Sequence, residues 1–209
     1  MTNSRVKVAV GMSGGVDSSV AAYLLTESGY EVKGIFMKNW EEDDSDECSS
    51  KEDYEDARRV CKHLGIELNL VNFSDKYWTN VFETFIEELK KGFTPNPDVF
   101  CNKEIKFKQY YDYAMSLNFD LIATGHYARK ENISDPELHI PKDIIKDQTY
   151  FLYMMKQDVL RNTLFPLEQL NKGEVKTIAK DLKLNLNQKK ESMGTVSYTH
   201  LTLPTICSV

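Results

Sequence analysis

No apolar run in the chain approaches the roughly 20 residues that a membrane span requires, so the sequence predicts a protein with no membrane partner. The opening stretch MTNSRVKVAV enters a strand-like run without the basic, apolar and small-residue layout of a secretion signal, and a cytoplasmic protein is expected. Cys-x-x-Cys pairs are missing too. Cys48, Cys61, Cys101 and Cys207 fall at irregular spacings, which argues against a structural zinc site or a disulfide scaffold. Positive charge is in short supply: the net charge is −6, an unfavourable balance for a partner made of phosphates. The excess acid is concentrated in EEDDSDE (residues 41–47), whereas KEIKFK (103–108) is locally basic, and a local patch can act against the global sign. Both runs read most simply as solvated surface.

What is present is ordinary globular material. With 209 residues, 41% hydrophobic and 28% charged, the chain can bury one sizeable core, and a single main domain is expected. Short apolar or alternating runs rich in Val, Ile and Leu at 6–10, 31–37, 67–73 and 120–125 read as strands. Helical segments at 18–28, 51–64, 76–91 and 103–117 separate them, the first two ending at Gly29 and Gly65. Tyr54, Ala57, Cys61 and Leu64 share one helix face, which makes Cys61 a core thiol. Strand and helix alternate, so the predicted fold is α/β, a parallel twisted sheet with helices on both faces, binding its ligand at the carboxyl ends of the strands.

The first strand runs into GMSGGVDSS. It lacks the lysine of a G-x-x-x-x-G-K-[ST] loop and the spacing of G-x-G-x-x-G. Gly11 follows the strand, Gly14 and Gly15 permit positive dihedrals, and Ser18 or Ser19 starts a helix, so several N–H groups can face an anion. Ser13, Ser18 and Ser19 add hydroxyls. Asp17 is out of place beside phosphate unless a cation is present, and is read as a helper of bound Mg²⁺. The plainer alternative is a tight turn in which Asp17 and Ser18 only cap the helix, but such a turn needs neither two adjacent glycines nor three serines.

In GFTPNPDVFCNKEIKF (92–107) two prolines are expected in a loop, with a helix opening near Cys101 or Asn102. A cysteine at a helix start, near Lys103 and Lys106, has reason for a lowered thiol pKa, and the Asp98 carboxylate could carry a proton. The plainer reading of Cys101 is a buried first-turn residue. In KDQTYFLY (146–153) the rings of Tyr150, Phe151 and Tyr153 are expected to pack at the head of an aromatic helix.

SGGVDSS (13–19) is similar to the loop of the PP-loop ATP pyrophosphatase superfamily, which holds the pyrophosphate end of ATP while a carbonyl oxygen is adenylated. Together with MKNWEEDD (37–44), TPNPDVFCNKEIKF (94–107), ATGHYAR (123–129) and KDQTYFLY, it resembles the bacterial-type tRNA-specific 2-thiouridylase family over roughly the first 194 residues. The resemblance implies an adenine nucleotide alpha hydrolase-like fold over 1–150 and a helical extension over 151–194. It also implies that Gly11, Met12, Ser13, Gly14, Gly15, Val16, Asp17, Ser18, Met37 and Gly125 contact ATP. Asn96, Pro97 and Asp98, with Lys146, Asp147 and Gln148, would contact tRNA around the wobble uridine, and Cys101 and Asp98 would be catalytic. The implied reaction adenylates the uridine 2-carbonyl oxygen and displaces AMP with sulfur from a cysteine persulfide, charged by a cysteine desulfurase or a sulfur-relay protein.

After KKESMG the family continues Ile-Cys-Phe-Ile-Gly, whose cysteine carries the persulfide, whereas this chain reads TVSYTHLTLPTICSV (195–209), without one Asp, Glu, Lys or Arg. A non-native tail on a truncated chain is expected, with no persulfide role for Cys207 and no sulfur transfer by this polypeptide. An ATP-binding fragment without turnover, or a PP-loop ligase with another acceptor, is the alternative. Cys101 disfavours the ligase, which needs no thiol.

Overall fold

The computed structural model describes residues 6–39, 50–131 and 135–184. The acidic run, Cys48, Cys207, the KKESMG stretch and the 195–209 tail therefore lie outside the described residues.

Strand β1 (Lys7–Met12) is buried from Val8 onward. It sits in the middle of a sheet because both of its faces are covered, as its unbroken apolar run implies. Its neighbours are β2 (Glu31–Lys38), β3 (Leu68–Asn72), β4 (Leu121–Ala123) and β7 (Thr163–Leu164), in the order β3-β2-β1-β4-β7 with every pair parallel. The chain runs outward on one side of β1 and then returns to fill the other. That reversal opens a crevice beyond the carboxyl ends of β1 and β4.

Alternation along the strands builds two cores. Val8, Val10 and Met12 face helices α1 (Val16–Glu27), α2 (Ser50–Leu64) and α8 (Lys172–Asp181), together with Leu167. Ala9, Ile35 and Ile122 face the helices that follow β3 and precede β4. Ala57 and Cys61 lie in the first core with Tyr54 and Leu64 packed against it, as the helical spacing predicts. Burial pushes the Cys61 thiol up to about 11.

The helical run after β3 starts as α3 (Ser74–Tyr77), widens to a π-helical stretch (Trp78–Glu83) and continues as α4 (Thr84–Lys90). The next comprises α5 (Pro97–Phe100), a π-helical stretch (Cys101–Gln109) and α6 (Tyr110–Ser116). The sequence places the start of this helix near Cys101; it begins four residues earlier. Pro97 occupies the first helical position, where its missing N–H costs nothing, and Asn96 caps it.

Three elements were not foreseen: the antiparallel pair β5 (Arg129–Glu131) and β6 (Glu137–His139), and β7, which follows the short helix α7 (Gln157–Arg161). Through β7 and α8 the chain beyond residue 150 joins the same sheet and the same core. The aromatic segment is also corrected. It is a single 3-10 turn (Thr149–Leu152) that buries Leu152, while Tyr150 and Tyr153 are 63% and 65% exposed and rest on one another with ring centres 5.9 Å apart. Among the described residues no helix is long and apolar enough to cross a membrane.

Candidate functional site

The crevice at the reversal is occupied by the β1–α1 loop. Gly14 takes φ +75°, and a Cβ there would lie 2.8 Å from the Asp53 Cα of α2, so both conformation and space require glycine. Gly15 does not share the positive φ expected of it; it is the extended N-cap of α1, and no side chain caps that helix. The hydroxyls of Ser18 and Ser19 donate to the Gly15 carbonyl at 3.1 and 2.7 Å. The N–H groups of Ser13 and Gly15 donate to the Ser18 and Ser13 hydroxyls. The serines thus brace the loop, and the uncapped first turn presents its N–H groups to an anion.

Gly125, just beyond β4, closes on the same helix start: a Cβ there would stand 2.7 Å from the Ser18 nitrogen. The Met37 Cε lies 3.2 Å from the Cβ position of Gly11. Gly11 to Ser18, Met37 and Gly125 are thereby gathered at the carboxyl ends of β1, β2 and β4.

Asp17 has partners that the sequence did not reveal. The Lys172 ammonium is 2.7 Å from both of its carboxylate oxygens, and the Tyr127 hydroxyl donates to Oδ1 at 2.9 Å. The Lys172 backbone N–H donates to Asp143 Oδ2 at 2.8 Å, and Asp143 Oδ1 accepts from the N–H groups of Ile145 and Lys146. Among the described residues no three His, Cys, Asp or Glu side chains form a metal cage. A divalent ion here would be held chiefly by phosphate oxygens, with Asp17 as its protein ligand, which suits Mg²⁺.

Cys101 does not have the environment of an activated thiol. It is 7% exposed and already inside the helix, and burial pushes its thiol above the ordinary 9.0, with Asp98 adding to the shift and Lys106 opposing it. The lowered pKa expected for a helix-start cysteine is lost because the helix starts at Pro97. Asp98 and Val99 donate their N–H groups to the Asn96 side chain at 3.0 and 3.4 Å. Asn102, 4% exposed, keeps its Oδ1 without a hydrogen-bond partner among the described residues.

His126 is 9% exposed, with Nδ1 2.8 Å from the Thr124 hydroxyl and its ring 5.7 Å from that of Phe107. Burial, with Lys106 adding to it, holds the imidazole well below its ordinary value, so it is neutral. Lys106 therefore acts on both Cys101 and His126.

Of the segment 146–148, Lys146 ends a short 3-10 turn (Ile144–Lys146), Asp147 accepts the Thr149 N–H, and Gln148 is bound to the backbone of Tyr127. The turn that follows packs against α5, so the two segments expected to contact RNA are neighbours. Sequence reasoning missed His126, Tyr127, Asp143 and Lys172. His126 and Tyr127 lie in the ATGHYAR stretch, but nothing local links Lys172 to a loop 155 residues away.

The sequence profile of the tRNA methyl transferase HUP domain matches residues 6–197. A protein of Serratia proteamaculans named tRNA-specific 2-thiouridylase MnmA is 55% identical over 195 residues, covering 92% of this chain and 53% of its own. One of the same name from Idiomarina loihiensis is 53% identical over 197 residues, covering 93% and 53%. The chain thus spans about half the length of these relatives. Among solved structures, the U34-tRNA thiolase NcsA from Methanococcus maripaludis is similar with a TM-score of 0.58 at 24% identity, over 92% of this chain and 61% of that one. A 4-thiouridine synthetase in complex with RNA and ATP gives 0.55 at 16%, over 86% and 41%. At these identities the likeness shows the fold.

Proposed function

Because the chain belongs to the tRNA methyl transferase HUP domain family, we propose that it is the ATP-binding, uridine-activating portion of a tRNA-specific 2-thiouridylase of the cytoplasm. The observation that carries this reading is the uncapped α1 start set against Gly125 at the reversal of the sheet. The names and identities of its relatives support the substrate.

The N–H groups of the loop and of the first turn of α1 receive the pyrophosphate end of ATP, while Met37 and Gly125 bound the nucleotide at neighbouring strand ends. Asp17 would hold Mg²⁺ once Lys172 releases one of its oxygens, and the ion, when bound, would supply charge neutralisation for the leaving pyrophosphate. The uridine 2-carbonyl oxygen attacks the α-phosphorus, forming an O–P bond as the α–β bond breaks. Asn96, Pro97 and Asp98, with Lys146, Asp147 and Gln148, border the base. The terminal sulfur of a persulfide then displaces AMP, forming C–S as C–O breaks; the Cys101 thiol, its proton passing to Asp98, attacks the inner persulfide sulfur, so that a disulfide forms as the S–S bond breaks and 2-thiouridine leaves. Burial, with the Asp98 carboxylate adding to it, keeps the Cys101 thiol protonated until bound substrate changes its surroundings.

The Ile-Cys-Phe-Ile-Gly context of the second thiol is absent from this sequence, so this polypeptide is proposed to activate uridine without completing sulfur transfer. Incubation with ATP, Mg²⁺ and tRNA should release pyrophosphate, and nucleoside mass spectrometry should find no 2-thiouridine. Pyrophosphate release that ignores the RNA supplied would remove the uridine from this reading.

A further inference from the structure

The β1–α1 loop has no lysine of its own, and the fold brings one to it from the far end of the described chain. We propose that Lys172 is the phosphate-directed cation of the nucleotide site: it neutralises Asp17 in the free protein and turns its N–H donors toward phosphate oxygens when nucleotide binds. The inference rests on the nucleotide reading above and adds to it a residue outside every motif of the loop.

Three observations support it. Asp17 lies in the first turn of α1 beside Gly125, where the polyphosphate must sit, and a bare carboxylate would repel that ligand. The Lys172 ammonium, 2.7 Å from both Asp17 oxygens, cancels this charge. An ammonium also has three donors, and two are directed at Asp17, so one remains for an incoming anion. Finally, the backbone of Lys172 is fixed independently of its ammonium. Asp143 holds its N–H, the Asn171–Glu174 capping box fixes the start of α8, and α8 packs on α1. The ammonium ends a flexible four-carbon stem, 14% exposed and 5.9 Å from the Tyr127 ring centre, so a small swing carries it from carboxylate to phosphate without moving the helix.

Calorimetric titration of this chain with ATP and with adenosine, in the presence of Mg²⁺, tests the assignment. The unaltered protein should prefer ATP. Lys172→Met should weaken ATP binding by about tenfold or more while adenosine binding stays within about twofold, and Lys172→Arg should retain most of the ATP affinity. Equal affinity of the unaltered protein for ATP and adenosine would overturn the nucleotide reading itself. A Lys172→Met protein that keeps the full preference for ATP would overturn only the role of Lys172. Should Lys172→Met fail to fold, Asp17→Asn is compared with Asp17→Asn/Lys172→Met, in which no carboxylate is left unpaired. Loss of the ATP preference on adding Lys172→Met supports the proposal, and its retention ends it.

Discussion

Tyr127 and Gln148 hold each other through two hydrogen bonds. The Tyr127 N–H donates to Gln148 Oε1 and the Gln148 N–H donates to the Tyr127 carbonyl, both at 2.9 Å. Since the Tyr127 hydroxyl reaches Asp17, this pair connects the segment expected to contact RNA with the nucleotide loop. Gln148→Ala removes one of the two bonds and leaves a part-buried N–H unpaired. It should cost about 1 kcal/mol of stability, read from the urea midpoint, and should also weaken ATP binding.

Gly125→Ala addresses the crevice directly. The added methyl would meet the Ser18 nitrogen at 2.7 Å and the Asp17 carbonyl carbon at 2.9 Å, both of them backbone, so the start of α1 must shift. Destabilisation of about 1–3 kcal/mol is expected. Calorimetry should show ATP binding falling further than the loss of stability explains; unchanged affinity would move the nucleotide away from Gly125.

Cys101 offers a test of sign. Its thiol stands above the ordinary 9.0, so iodoacetamide should alkylate it slowly at neutral pH and faster as pH rises past that value. Asp98→Asn removes a charge that raises the pKa and should move the rate profile to lower pH; Lys106→Met should move it upward. A thiol raised on folding also makes stability fall once pH exceeds the unfolded value, where the unfolded chain releases its proton first.

His126 predicts an acid weakness. Its imidazole is neutral when folded and has the ordinary value of 6.5 when unfolded. The unfolded chain then binds the extra proton, so the contribution of this residue to stability is present above pH 6.5 and is lost as pH falls below it. Denaturation midpoints measured on either side of that pH should differ less in His126→Gln than in the unaltered protein.

Tyr150 and Tyr153 supply a prediction for RNA. Their exposed rings follow the 146–148 segment directly and offer faces on which unstacked bases can lie. Tyr150→Ala and Tyr153→Ala should leave the melting curve unchanged and weaken binding of an anticodon stem-loop by about 1 kcal/mol or more. Because the chain is net acidic, that binding should be weak and should fall steeply with added salt. Fluorescence anisotropy across a salt series measures both effects.

Strand β1 is legible in the sequence because a parallel strand buried on both faces is apolar throughout, β2 to β4 because their short apolar or alternating runs are rich in Val, Ile and Leu even where, as in the edge strand β3, they are half-exposed, and the glycine-rich loop because its composition allows a backbone cradle. β7 is two residues long and carries no period to detect. In the sequence Pro97 reads as a loop residue although a first helical position suits it equally well, and that one ambiguity displaces the expected helix start and reverses the expectation for the Cys101 thiol. The tyrosines were expected to pack because aromatics so often do, but a hydrophobic residue is not obliged to be inside. The contact of Lys172 with Asp17 depends on chain return over most of the described length, which no local pattern encodes.

The central position of β1 also sets an order of events during synthesis. One edge of β1 pairs with β2 as soon as residue 38 is available, but the other waits for β4; the Lys7 N–H meets the Asp120 carboxylate across 113 residues. Until then the nascent chain carries an open, apolar strand edge, the kind of surface that invites pairing with another chain. The interval before β4 leaves the ribosome is therefore the one in which this edge stands unpaired, and a slowed ribosome between β3 and β4 would prolong that exposure.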